Sequence, residues 1–356
     1  MREAKRWTCL VCLAGLAMLA GCEATPKISA IVLPDQYNTP DGMCLAPDGN
    51  ILLSMPNFND PNYPAKVVKV DADDKISDVV TLTGAPGIGK AGPLGIGVAS
   101  DGNIYISDNP DFGKNIHTSR LVRVVMKDGK AVKAEVVATG FNNANGLACR
   151  GDSVYVNECV IDPNASPMPS GVVRFKLSEL DAAKPVALMS GGSDPHFVLK
   201  IETKNPDWKV GANGLGICGD TMYVCNFGDA QLIEAKLGPD GNVVSHKVLA
   251  EGQGMLSTDG LSIDRRTGAV YIADFRDNAV HKVCPKTGKV TTIARNGLTD
   301  GAGGALDRPS EPCVRGNKVY VANIDLPLAG NTPDKLYTLS VIELPPLKKP
   351  CDEAPK

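Results

Sequence analysis

Six short stretches of the chain share one opening, five of them on a residue that can bind or react, and in five of the six glycine follows. The opening residues are Asp41, Leu94, Asn145, Asn213, Asp259 and Ser310, with Glu311 directly after the last. Brought to one axis, Asp41, Asn145, Asn213 and Asp259 would offer two carboxylates and two amide carbonyls. Oxygen-only donors of mixed charge suit a hard cation. Calcium takes about 6–8 oxygens in irregular geometry, so water or substrate can complete the shell. Zinc and manganese are the other divalent candidates. Two carboxylates facing each other in a narrow channel would repel and titrate high, and a divalent cation removes that penalty. The plainer explanation is turn chemistry, since Asp and Asn before Gly are common at bends. Against it, the first residue varies while the glycine stays. A turn alone would not obviously select two acids and two amides.

Positioning these residues requires a repeated scaffold. The six openings are 53, 51, 68, 46 and 51 residues apart, a self-similarity that marks a solenoid, an array or a propeller. Each opening leads into a short apolar run, a bend such as Asp48-Gly49-Asn50 or Asp101-Gly102-Asn103, and a second arm alternating Val, Ile or Tyr with small or polar residues. Those bends fit tight hairpins and the second arms fit half-buried strands. Further strands such as KVVKVD and SRLVRVVM follow, so each unit predicts a four-stranded antiparallel blade. The expected fold is an all-β, six-bladed β-propeller over residues 28–345, with 346–356 a tail. After its hairpin the last unit has only LYTLSVIEL, so the strand near Ile28–Leu33 is expected to complete the sixth blade. Closure of that kind removes the open sheet edges. Tyr105, Tyr155, Tyr223, Tyr271 and Tyr320 recur at one blade position and are expected to pack between blades.

Met1 to Gly21 carries Arg2, Lys5 and Arg6 ahead of a short apolar run, and ends at Leu19-Ala20-Gly21-Cys22. It reads as a secretory signal with a lipobox, over residues 1–21. Cys22 would then be lipidated, with 22–27 a tether to the membrane. The expected location is the bacterial cell envelope, facing the periplasm or the exterior. Without the signal the chain holds 34 basic and 39 acidic side chains and no basic stripe. That excludes nucleic acid as an expected partner. A monomer is expected. Eight cysteines remain beyond Cys22, an even number that in an exported protein predicts one or two disulfides.

The longest interval, from Asn145 to Asn213, holds a Pro-rich insertion with His196 and Trp208. It predicts a lid or wall over one mouth of the channel. His117, His246 and His281 fall outside the axial positions, which leaves His196 as the histidine candidate for the site. Gly87-Ile88-Gly89-Lys90-Ala91-Gly92 matches a dinucleotide fingerprint, but a strand follows it where a helix is needed. Asp71-Ala72-Asp73-Asp74 starts like an EF-hand loop and lacks its later Gly and Glu.

The ordered Asp-Gly and Asn-Gly motifs make Ile28 to Leu344 resemble the gluconolactonase, senescence-marker and luciferin-regenerating propellers. Diisopropyl fluorophosphatase and the paraoxonases are relatives of that family. The resemblance implies a catalytic calcium held by Asp41, Asn145, Asn213 and Asp259, on the first, third, fourth and fifth blades. It also implies calcium-dependent hydrolysis of a lactone or related ester, a small-molecule substrate. Asp259 would serve as ligand and as general base or nucleophile, with Glu311 a second candidate base. The sequence departs from the family at two places. The first motif reads Asp41-Gly42-Met43-Cys44-Leu45 instead of Glu-x-Pro-x-Trp, and Asn143 stands where a sugar-binding Arg is expected. Asn143 and His196 are therefore the candidate substrate contacts, for a substrate that need not be a sugar lactone. The competing expectation is a binding or scaffolding propeller, resembling those built from NHL repeats. A lyase resembling the streptogramin-opening enzymes would need channel histidines.

Overall fold

The computed structural model describes residues 26–112 and 117–346. The signal segment, Cys22, Cys351 and the tail beyond 346 lie outside the described residues. Six sheets surround an axis, each built on four antiparallel strands; the second gains a short parallel fifth strand, and the sixth takes its outer strand from the N-terminus. The protein is a six-bladed β-propeller. Among the described residues there is no α-helix, only three single-turn 3-10 segments.

The innermost strands are Met43–Leu45, Pro93–Val98, Ala144–Arg150, Ala212–Cys218, Leu261–Ile263 and Pro309–Arg315. Their hairpin bends form as the sequence demands. In the first two blades Gly49 and Gly102 hold φ of +84° and +78°, a left-handed conformation that favours glycine. The flanking Asp48 and Asp101 carboxylates accept from the Asn50 and Asn103 amides. Blade six contains Pro309–Arg315, Lys318–Asn323 and Thr338–Glu343. Its outer strand is Ile28–Val32, paired antiparallel from Ile28 opposite Ile342 to Val32 opposite Thr338. Closure by the N-terminal strand is thus as expected.

The core is divided into six wedges, one between each pair of neighbouring blades. Tyr105 packs with Leu147 and Val156 of blade three, Tyr155 with Leu215 and Val224 of blade four, and Tyr320 with Met43 and Leu53 of blade one. Tyr223 and Tyr271 repeat the arrangement one and two blades further on. Leu52 fills the corresponding place on blade one. Each tyrosine therefore ties its blade to the next, burying ring area that drives the association. Three phenols find acceptors at the wedge ends, on Asp101, the Gly241 carbonyl and Asp74.

Among the described residues none of the expected disulfides forms. All seven described cysteines are free, with Cys159, Cys225 and Cys313 buried as small apolar side chains. Cys149 and Cys159 share blade three and Cys218 and Cys225 share blade four, and none of these is joined to another.

Candidate functional site

Glycine after each opening residue has a steric cause. Blades approach so closely at the axis that a Cβ on Gly42 would lie 2.1 Å from the Leu94 carbonyl oxygen, and one on Gly95 2.3 Å from that of Asn145. The same holds for Gly146 against Asn213 (2.1 Å) and for Gly214 against Asp259 (2.3 Å). Each glycine surface seats the next blade's backbone. The opening residues beside them leave the strand ladder. Register shifts occur between Pro93 and Ile96, Ala144 and Leu147, Ala212 and Leu215, and Pro309 and Glu311. Irregularities of this kind re-aim side chains near functional sites.

Blade six breaks the glycine rule. Glu311 replaces the glycine, and its carboxylate lies against Gly260, where a Cβ would stand 2.0 Å from Oε2. Burial raises its pKa well above the usual range, helped by the charges of Asp41 and Asp259 and opposed by the Leu261 N–H it accepts. Asp259 is likewise pushed well up, by burial first and then by Asp41 and Asp274, while a side-chain hydrogen bond with Asn213 opposes the shift. Burial lifts Asp41 to about 6, against hydrogen bonds from the Ser310 side chain and the Gly42 backbone. No Arg or Lys enters the balance at any of the three acids. Three carboxyls from blades one, five and six thus share one electrostatic neighbourhood, and Asn213 reaches it from blade four. Oxygen donors of this kind, in an acid-rich and cation-free setting, fit a hard divalent ion.

The third blade contributes less directly. Asn145 is half-buried at its axial position, and the Ser107 hydroxyl donates to its carbonyl oxygen. Asn143 is fixed through its N–H to Glu158 Oε1 (2.7 Å) and its Oδ1 to the Asn109 amide (2.8 Å). Glu158 also accepts from the Asn142 and Val160 N–H groups. Burial holds its pKa near 7.

His196 does not reach the axis, and the expectation of a substrate contact there is corrected. It sits just before the outer strand Phe197–Thr203 of blade three, 2.6 Å from Asp194 and 5.0 Å from the Phe175 ring. The insertion divides because its two ends pack on different surfaces. One part adds Val186–Ala187 in parallel to the edge of blade two. Another carries Trp208 to the mouth where the opening residues begin, against Phe227 at 5.8 Å and under the Arg276 guanidinium at 4.8 Å.

Phe227, Phe275 and Ile324 each directly follow a second strand, on blades four, five and six. With Leu326 they form an apolar cluster, joined by Phe58, Trp208 and Ala329. The corresponding residues on blades two and three are Asn109 and Cys159. This mouth is apolar on one side and amide-lined on the other. The second strands of blades two to six also end on Asp108, Glu158, Asn226, Asp274 and Asn323, and these polar ends pin the chain that enters their own blade's opening. Asp274, for example, accepts from the Leu256 and Ser257 N–H groups and the Ser257 hydroxyl. Sequence reasoning missed that role, although a polar residue closing each second strand was visible. Asp274, Asp277 and His281 lie together, but Asp274 is occupied by these bonds.

Two cavities matter. One of about 510 Å3 lies at the opposite mouth, lined by Glu311, Cys44, Cys149 and Cys313. Glu311 is the channel acid that faces it. The larger of the two, of about 710 Å3, lies beside the aromatic mouth among Phe58, Phe112 and Leu326. None of the channel carboxylates lines that second space.

Neither a protein-family model nor a curated protein matches the chain. Its fold is shared with solved propellers at low identity. A luciferin-regenerating enzyme superposes with TM-score 0.59 at 13% identity, over 89% of this chain and 95% of that one. A gluconolactonase from Xanthomonas campestris gives 0.52 at 15%, over 90% and 95%. A streptogramin B lyase gives 0.53 at 10%, over 90% and 98%. Likeness at this identity defines the architecture, and one architecture hosts several chemistries.

Proposed function

We propose that the chain is a divalent-metal-dependent hydrolase of lactones or related esters, with calcium the favoured ion. The observation that carries this is the group of buried Asp41 with half-buried Asp259 and Glu311, carboxyls that repel one another with no cationic side chain to balance them. Asp41, Asp259 and the Asn145 and Asn213 amides would hold the ion, which when bound supplies a Lewis acid for an ester oxygen. Asn213 orients Asp259, and Ser310 orients Asp41. Asp259 takes a proton from water, and Glu311, which faces the opposite mouth, adds its carboxyl to the same electrostatic neighbourhood. The oxygen of that water bonds to the acyl carbon as the ester C–O bond breaks, and the leaving alkoxide takes up a proton. The solved gluconolactonase supports this reading through its shared fold. We place the protein in the bacterial envelope, held at the membrane by lipid on Cys22.

The mouth suggests a substrate with an apolar body and a polar end, resting on Phe227 and Trp208 and reaching towards Asn143. Calcium-dependent hydrolysis should be measured on γ- and δ-lactones and aryl esters carrying aliphatic tails, with Asp259→Ala as control. Turnover that requires calcium and Asp259 supports the assignment. Calcium binding without turnover on any substrate favours a binding propeller instead. The inert, buried Leu94 at the blade-two axial position (1% exposed) is the feature that favours that second reading.

A further inference from the structure

A second group of acids stands outside the channel. Asp307 lies in the loop entering the sixth innermost strand, and Asp325 and Asp334 lie in the segment 324–337 that links Lys318–Asn323 to Thr338–Glu343. One carboxylate oxygen from each comes within 4.8 Å of the other two. Asp307 and Asp325 are 1% and 2% exposed, and Asp334 is half-buried, which leaves one side open to water.

Asp325 is partly satisfied: Oδ1 accepts from the Asn331 amide at 2.7 Å and Oδ2 from the Asp334 N–H at 3.0 Å. Asp334 Oδ1 accepts from the Leu336 N–H at 2.6 Å. Asp307 differs from both, because its Oδ1 is wholly buried and has no hydrogen-bond partner. Leaving such a group unmet is costly, and structures rarely keep one without a cause. The neighbouring Arg308 does not meet it. Its guanidinium donates to the carbonyls of Phe275, Arg276 and Ala329.

We infer that Asp307, Asp325 and Asp334 form a second divalent-cation site, of the calcium type, that fastens the 324–337 segment to the loop entering blade six. Three carboxylates, an unmet buried oxygen and a side open to water match a hard ion that keeps part of its hydration. Desolvation and the facing acids raise Asp307 to about 7, and burial raises Asp325 to about 6, as expected of acids gathered without their counterion. The tethered segment contributes Leu326 and Ala329 to the apolar mouth and Leu326, Pro327 and Leu328 to the cavity of about 710 Å3 beside it. An ion here would set the wall of the mouth without touching the channel. The site is independent of the hydrolase assignment.

Terbium, a luminescent stand-in for calcium, tests the inference on the full chain. The Tyr337 phenol is close enough to Asp325 and Asp334 to feel their charge, so excitation of Tyr337 should sensitise terbium emission from this site. In an Asp259→Asn background, which disables the channel, terbium emission and a calcium-induced rise in Tm should persist. Adding Asp307→Asn should abolish both. Tyr337→Phe should dim the emission while the Tm rise remains. The inference is overturned if the Asp259→Asn protein gives neither signal, as when Asp307 and Asp325 simply share a proton. It is equally overturned if Asp307→Asn leaves both signals intact. A calcium response confined to the channel appears as a Tm rise lost in Asp259→Asn and kept in Asp307→Asn.

Discussion

The channel acids and the blade-six acids are similar in composition and opposite in construction. Asp41, Asp259 and Glu311 come from strand openings that the repeat lays side by side, and backbone packing at the glycines fixes their spacing. Asp307, Asp325 and Asp334 come from two loops, held by side-chain hydrogen bonds such as Asn331 to Asp325. Charge gathered by packing is rigid and hard to remove without disturbing the ring. Charge gathered by loops is adjustable and depends on what neutralises it.

The sharpest way to break this contrast is Gly260→Ala. A methyl there would meet Glu311 Oε2 at 2.0 Å and the Ser310 carbonyl at 2.5 Å. Overpacking of this severity should cost about 3 kcal/mol in urea unfolding, at the upper end of the usual range. A neutral result would mean that packing does not set the channel. Next, Asp259→Ala should lower kcat/KM for a calcium-dependent ester by roughly a hundredfold, at or above what outer-shell partners of a metal cost. Activity near wild type would remove the acid from the chemistry.

The pH response of the metal-free protein comes third. A carboxyl whose folded-state pKa exceeds its unfolded value stabilises fully below the unfolded pKa and loses that contribution as pH rises through the folded one. Asp41 spans 3.8 to about 6, and Asp307 spans 3.8 to about 7. Chelated protein should therefore lose stability between pH 4 and 7, by about 2–3 kcal/mol from Asp41 alone. Calcium at pH 8 should restore it. A flat profile would show that the acids are not strained when ionised. The smallest effect is expected from Asn331→Ala, which strips one hydrogen bond from Asp325 and should cost about 1 kcal/mol. A loss as large as that of Gly260→Ala would erase the distinction between the two regions.

The same contrast explains what the residue pattern revealed. The axial openings repeat, so spacing put Asp41, Asn145, Asn213 and Asp259 at equivalent blade positions, with Glu311 noted as the residue beside the sixth. Strand order, ring closure and the inter-blade tyrosines followed from that periodicity. The loop acids could not be found this way. Asp307 and Asp325 are 18 residues apart, and the matching positions of other blades hold unrelated residue types, such as Leu256 and Arg276 on blade five. His196 misled because a long insertion suggests a lid, whereas most of it packs on the outer edges of blades two and three. The cysteine count misled because cysteines in and beside strands pack as small apolar side chains, and evenness of number says nothing about pairing.

Glycine seating at the axis has a mechanical consequence. In an open sheet a displaced strand can drift, but a circle has no loose end to absorb slack. Any widening at one joint would have to be shared around the whole circumference and would pull on the seam where Ile28–Val32 meets Thr338–Glu343. The aperture is therefore of fixed bore. Whatever regulates passage must be a side chain or a surface flap swinging over a rigid pipe.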